Sequence, residues 1–293
     1  MSRFCWAVIA VFVIGMPTIQ AQTKLAWKFK EGDTFYVEDV MEAKQTVAIL
    51  GKDIKEAAKT TKVLRFHVKK VADNEVTVEQ TMISIEKKNQ GGLPTPQDKF
   101  VEKLQGASFV FTMRDGKVTK LDGYDEFIKK ATDDDVTAKL LKTILSKETI
   151  TQGIETTFGS LPKTAVKAGD EWTSETKTSM GPLGTFANKL KFKVQEEQKD
   201  GVAITSQGTA TYTAPKDGVL GGVLKIVKGN LKAETLTGSM VFDADKGRLV
   251  RSESTMKMAG ALTVEVMGNE LEMSLSVEQT SKARVLDKNP KTP

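Results

Sequence analysis

Long runs of alternating apolar and polar residues, broken by Gly, Asp and Asn turns, constrain this chain more than any other feature. The first begins at Thr34-Phe35-Tyr36-Val37 and reaches to about Leu50. Others cover about Thr60–Val71, Glu75–Ile85, Phe109–Met113 and Lys117–Leu121. A period of two places successive side chains on opposite faces of a strand, so each run buries one face and wets the other. Asp115-Gly116 between two such runs is a hairpin signal, and Asp73-Asn74 and Gly51-Lys52-Asp53 read as turns. The pattern predicts an antiparallel meander.

The period changes once in the middle of the chain. Tyr124, Phe127 and Ile128 fit a short helix, which Thr132-Asp133-Asp134-Asp135 interrupts and restarts. Val136, Leu140, Leu141, Ile144 and Leu145 then recur at helical spacing, and Ile150, Ile154 and Phe158 carry it onward. A further short helix is expected over 95–105, with Thr95 as cap, Pro96 in the first turn and Gly106 at its end. The stretch from Gly153 to Trp172 closes the helical segment, turns at Pro162 and reopens strands at Gly169-Asp170-Glu171-Trp172. Alternation resumes over Thr185–Val194, Val202–Ile204, Leu224–Ile226, Met240–Phe242 and Arg248–Val250, and in two runs between Ser252 and Val277 that meet near Gly268-Asn269. The expected fold is mainly β: one large, curved antiparallel sheet or open half-barrel, with the helices packed on one face. A closed β-sandwich with the helices outside is the alternative. The halves echo each other, Phe29…Gly32-Asp33 matching Val166…Gly169-Asp170 and Phe111…Gly116 matching Phe242…Gly247. Duplication and shared turn chemistry both account for this.

Arg3 followed by the apolar run Cys5–Ile14, with Ile19-Gln20-Ala21 before Gln22, reads as a cleavable export leader over residues 1–21. The run is short for a membrane span and is followed by Pro17, so no transmembrane segment is expected after cleavage. The only cysteine of the chain, Cys5, lies inside that leader, leaving a mature chain without disulfides, thiolate ligands or a cysteine nucleophile. The formal net charge of +5 falls by one when Arg3 is removed. Lys alternates with Glu and Asp along the chain, with no Arg and aromatic patch of the kind nucleic acid requires. The expected organisation is an N-terminal β half over 22–123, a helical connector over 124–161, a C-terminal β half over 162–286 and a disordered polar tail over 287–293.

Trp27-x-Phe29-x-x-Gly32-Asp33, Gly116-Lys117-Val118-x-x-Leu121-x-Gly123 and Leu161-Pro162-x-x-x-Val166-x-x-Gly169-Asp170-x-Trp172 resemble an uncharacterised family of secreted proteins, associated mainly with planctomycete and Bacteroidetes-type bacteria. The resemblance implies export to the periplasm or cell surface and a β-rich fold. Its motifs are turn and packing residues and imply no reaction.

Chemistry-bearing motifs are scarce. The only histidine, His67, sits mid-strand, so it alone would have to serve a Ser-His-Asp triad, and no Gly-x-Ser-x-Gly elbow is present. Asp133-Asp134-Asp135 reads as helix cap and dipole partners. Asp243-Ala-Asp245-Lys-Gly247 departs from a calcium loop in the place of its glycine and reads as a hairpin turn. No cofactor or metal is expected, and the chain is read as non-catalytic. An apolar or lipid-like ligand held between sheet and helices is the leading expectation, with Phe109, Phe111, Leu140, Leu141, Ile144, Phe186, Leu190 and Phe192 placed near it. A structural role at the cell surface, with an envelope polymer as partner, is the second reading, and a carboxylate-based hydrolase the third.

Overall fold

Thirteen strands form one antiparallel sheet in the computed structural model, which describes residues 22–91, 103–179, 184–215, 219–220 and 224–292. The leader expected over 1–21, the helix expected over 95–105 apart from its last residues, and most of the Gly218–Val223 loop lie outside these described residues. The strands are β1 Thr34–Ile49, β2 Lys52–Ala72, β3 Glu75–Gln90, β4 Ser108–Arg114, β5 Lys117–Asp122, β6 Glu171–Ser179 and β7 Thr185–Gln198. They continue as β8 Gly201–Thr213, β9 Val219–Leu220, β10 Leu224–Gly229, β11 Lys232–Asp243, β12 Arg248–Val266 and β13 Asn269–Leu286. Three helices, α1 Tyr124–Ala131, α2 Asp135–Ile144 and α3 Lys147–Phe158, connect the strands of the two halves. The sandwich alternative is not what forms, because both halves share one sheet.

The spatial order is β5-β4-β3-β2-β1-β13-β12-β11-β8-β7-β6, with β10 pairing the far end of β12. First and last strands therefore meet in the middle, in a ladder running from Tyr36↔Leu286 to Ile49↔Met273. Four hairpins turn on two residues that both have positive φ: Leu50-Gly51, Asp73-Asn74, Asp115-Gly116 and Met267-Gly268. Such primed turns match the right-handed twist of the flanking strands. The turn expected at Gly51-Lys52-Asp53 is thus one residue earlier, and β2 starts at Lys52, well before the alternation becomes legible near Thr60. Its Lys-, Glu- and Ala-rich opening is poor strand material, and it is extended because β1 pairs with it along its whole length, down to Ile49↔Lys52.

The sheet is open, since β5 and β6 do not pair, yet α3 touches both of these edges. Ten strand intervals separate them, about 48 Å were the sheet flat. A helix of 12 residues is only about 18 Å long. The sheet is consequently rolled, with α3 seated in the gap. Glu155 accepts from the β5 backbone N–H of Val118 at 3.0 Å and pairs with Lys117 at 2.9 Å. On the other side, Gln152 accepts from the β6 N–H of Ser179 at 2.7 Å, and the Thr149 hydroxyl donates to the Ser179 carbonyl at 3.0 Å. One helix so covers two edges that would otherwise offer unpaired backbone to other chains.

The two halves enter the sheet through the same local unit. Gly32 donates to Val68 O and Val68 to Asp33 O, each at 2.9 Å, while Gly169 and Val194 repeat both bonds at 2.9 Å with Asp170 in the place of Asp33. Gly32 and Gly169 have φ of 87° and 88°, a conformation open to glycine. Beside each unit two rings stack at 5.1 Å, Phe35 on Phe66 and Trp172 on Phe192.

Buried apolar residues fall into three clusters. The first joins β2–β4 to the helices through Phe66, Phe109, Phe111, Phe127, Ile128, Leu141 and Phe158. A second gathers Leu25, Val166, Phe192, Ile204 and Phe242, and Trp27 packs against both. The third, Tyr212, Ile226, Leu231, Met258, Leu262 and Val264, is built by strands and the β10–β11 kink, with no helical residue.

A helix-free apolar cleft in the C-terminal half

On β12 the even positions Met256, Met258, Leu262 and Val264 share a face. The register sets them beside the odd positions Leu271, Met273, Leu275 and Val277 of β13. Val47 and Ile49 of β1 continue that face opposite Leu275 and Met273. The reverse face of β13 carries Glu270, Glu272, Ser274, Ser276 and Glu278, all exposed. Alternation alone therefore makes a sheet wall that is apolar within and polar without.

Across from this wall stand β6, β7 and β8. Phe186 and Tyr212 pack ring against ring at 5.2 Å. The Tyr212 ring fits between two glycines: a Cβ on Gly229 would lie 2.4 Å from Tyr212 Cε1, and one on Gly184 would lie 2.8 Å from its hydroxyl. Burial pushes the Tyr212 phenol pKa upward, so the group stays a neutral hydroxyl. At the near end Asn230 kinks the chain between β10 and β11, exchanging 3.0 and 2.7 Å bonds with the backbone of Ala261.

Between the walls lies a cleft of about 530 Å³. Thr178 of β6 and Gln45 of β1 both line it, although six strand intervals, about 29 Å on a flat sheet, lie between those strands. Rolling of the sheet makes the cleft. Its lining is apolar around Phe186, Ile226, Leu231, Met258, Leu262 and Leu275, with Gln45, Thr178, Asn188 and Gln279 as the polar members. Among the described residues no Asp, Glu, Lys, Arg or His lines it. Its size is that of small-molecule sites.

The residues expected from sequence to surround a ligand divide among all three clusters. Phe109, Phe111 and Leu141 are buried in the helix-covered core, and Leu140 is half-buried on the same helix. Ile144 ends α2, and its side chain is outside the described residues. Phe192 and the half-buried Leu190 belong to the second cluster. Phe186 alone lines the cleft. A ligand was expected between the sheet and the helices; there, at the end of α3, lies a smaller cleft of about 260 Å³ beside Trp27, Phe66 and Phe158. The methionines and leucines of β12 and β13 escaped notice because they read as ordinary core; their signal is that none of α1–α3 packs against them.

Elsewhere, His67 Nδ1 lies 2.9 Å from the Thr34 hydroxyl in an exposed pair. Asp134 caps α2, accepting from Thr137 N at 2.7 Å, and this bonding lowers its pKa. Asp243 accepts from Lys246 N at 2.9 Å within the β11–β12 turn. Among the described residues no helix is long and apolar enough to cross a membrane.

A family model described as a family of unknown function, DUF6263, matches residues 59–247. The chain belongs to that family. The DUF6263 match takes in the Phe186 and Tyr212 wall of the cleft but leaves Gln45 and the facing residues of β12 and β13 outside it. No curated protein matches the sequence. Among solved structures, the chain is similar to one described as lipid–protein interactions in lipovitellin, at 11% identity and a TM-score of 0.47, over 91% of this chain and 26% of that one. It is also similar to an outer membrane channel from Pseudomonas putida F1, at 8% identity and a TM-score of 0.26, over 89% and 98% of the two chains. The outer membrane protein OprG from Pseudomonas aeruginosa gives 8% and 0.26, over 90% and 99%. The DUF6263 chain thus spans about a quarter of the lipovitellin chain it matches.

Proposed function

We propose that this protein is an exported, non-catalytic carrier of an uncharged, lipid-like molecule held in the cleft between β6–β8 and β10–β13. The observation that carries this reading is the lining: about 530 Å³ of apolar space bounded by strands, whose polar groups among the described residues are amides and the Thr178 and Tyr212 hydroxyls. A charged ligand would leave its charge unpaired there, at a cost of several kcal/mol. Gln45, Asn188 and Gln279 suit a neutral hydrogen-bonding head, and the Leu262, Leu275 and Ile226 side suits a hydrocarbon tail. Neither a general base nor an activated nucleophile lines the cleft, which favours binding over turnover. The leader over 1–21 supports export.

Native mass spectrometry of protein recovered from its own envelope tests this. An added mass, extractable as a neutral lipid-like compound and lost in Met258→Trp, is the expected result. Recovery without any added mass, together with no uptake of a neutral fluorescent lipid, would sink the reading.

A further inference from the structure

The sheet has two ends, and their turns differ in chemistry. At one end the hairpins turn on Asp73-Asn74, Asp115-Gly116, Lys199-Asp200 and Ala244-Asp245-Lys246-Gly247. These are polar and suited to left-handed backbone or to Asx bonding. At the other end the β1–β2 and β12–β13 hairpins turn on Leu50-Gly51 and Met267-Gly268. Leu50 and Met267 have φ of 50° and 51°, a region where Leu and Met are strained and Asn is at ease. They are also 77% and 81% exposed. Neither the backbone nor water accounts for two large apolar side chains at these positions.

Both tips lie at the same end of the sheet, with the β12–β13 turn four residues further along β13 (Met273 to Asn269) than the last β1 pair. Ile49↔Met273 and Val266↔Asn269 put both turns at the same edge of the β1–β13–β12 ladder. Ile54 of β2, opposite Val47 and half exposed, stands behind Leu50 on the inner face. From the tips that face runs through Ile49, Met273 and Leu271 to Leu262 and Leu275 in the cleft, with Lys52 opposite Ile49 and Asn269 opposite Val266 as its polar members beside the turns. Charges around the tips are of both signs: Lys52, Lys55, Lys225 and Lys228 against Asp53, Glu56, Glu265, Glu270 and Glu272. Such a rim has no preference for an anionic surface, a nucleic acid or an acidic peptide.

From this we infer that the hairpin end is a membrane-contact surface, which sets Leu50 and Met267 into the interface of an uncharged, zwitterionic bilayer with the cleft opening onto it. Insertion removes from water two of the three most exposed large apolar side chains among the described residues, Val136 on α2 being the third, and the mixed rim stays among zwitterionic head groups. The contact stands apart from the carrier reading, although it would give a neutral lipid a dry path to the cleft.

The test is flotation with phosphatidylcholine vesicles, using protein recovered from the cell. Leu50→Asn, Met267→Asn and the double variant retain the turn, because Asn adopts this conformation more readily. Each single change is expected to lower vesicle partitioning roughly tenfold and the pair roughly a hundredfold, from the transfer energies of the lost side chains. Raising the salt should leave wild-type binding unchanged. Equal binding by the double variant, binding confined to anionic vesicles, or self-association of the wild type without vesicle binding would each overturn the inference. Met258→Trp, which fills the cleft, is expected to bind vesicles like the wild type. The double variant is expected to take up neutral lipid presented in detergent, so that loss of either property identifies which reading has failed.

Discussion

Gly229 and Gly184 shape the cleft by what they lack. Each gives the Tyr212 ring a place that a methyl group would occupy. In a Gly229→Val variant both the Tyr212 ring and the Leu262 side chain, at 2.4 and 2.6 Å from the added Cβ, must move, and both line the cleft. We expect a loss of roughly 1–3 kcal/mol in denaturant unfolding, typical of overpacking, together with weaker uptake of a neutral fluorescent lipid. Unchanged uptake would show that Tyr212 does not set the width of the cleft. Trp27 acts at the same scale by a different route. Its indole N–H donates to Phe158 O at 3.0 Å while its ring meets Phe158 and Phe242 edge-on at 5.0 and 5.4 Å. One side chain so joins the two clusters that the cleft does not use.

Among the elements, α3 has the most specialised place. Gln152 and Glu155 bond to opposite edges of the sheet from neighbouring turns of one helix. Replacing both by Ala is expected to speed hydrogen exchange at the Ser179 and Val118 amides by roughly tenfold, the value of about one hydrogen bond at each. Exchange in the β1–β13 ladder should not change; equal acceleration there would mean that the whole fold had loosened instead. The helices themselves were legible in the sequence, because Leu140, Leu141 and Ile144 keep helical spacing and Asp134 caps in the expected place. The meander was legible where alternation is clean. It failed over Lys52–Lys59, where pairing to β1 overrides weak local preference. The cleft was not legible. Phe109 and Met258 sit in equally apolar strands, and only the three-dimensional layout shows that helices pack on the first while the second lines a cleft between strands.

At the scale of the whole molecule, the decisive fact is the order of the strands. β13, the last 18-residue strand, fills the slot between β1 and β12. A chain ending at Met267 would present β1 and β12 as two long unpaired edges. It is expected to form aggregates, seen by size exclusion, at concentrations where the complete protein runs as a single species. A folded truncation eluting as one species would mean that each half is self-sufficient. The partners Tyr36 and Leu286 are 250 residues apart in the sequence (286 − 36), so this ladder cannot close until everything between them has been made. During synthesis the early strands wait with an open slot in the middle of the sheet. The strand that locks the two halves together emerges only after both have been made, so until then the growing chain depends on whatever shields that slot.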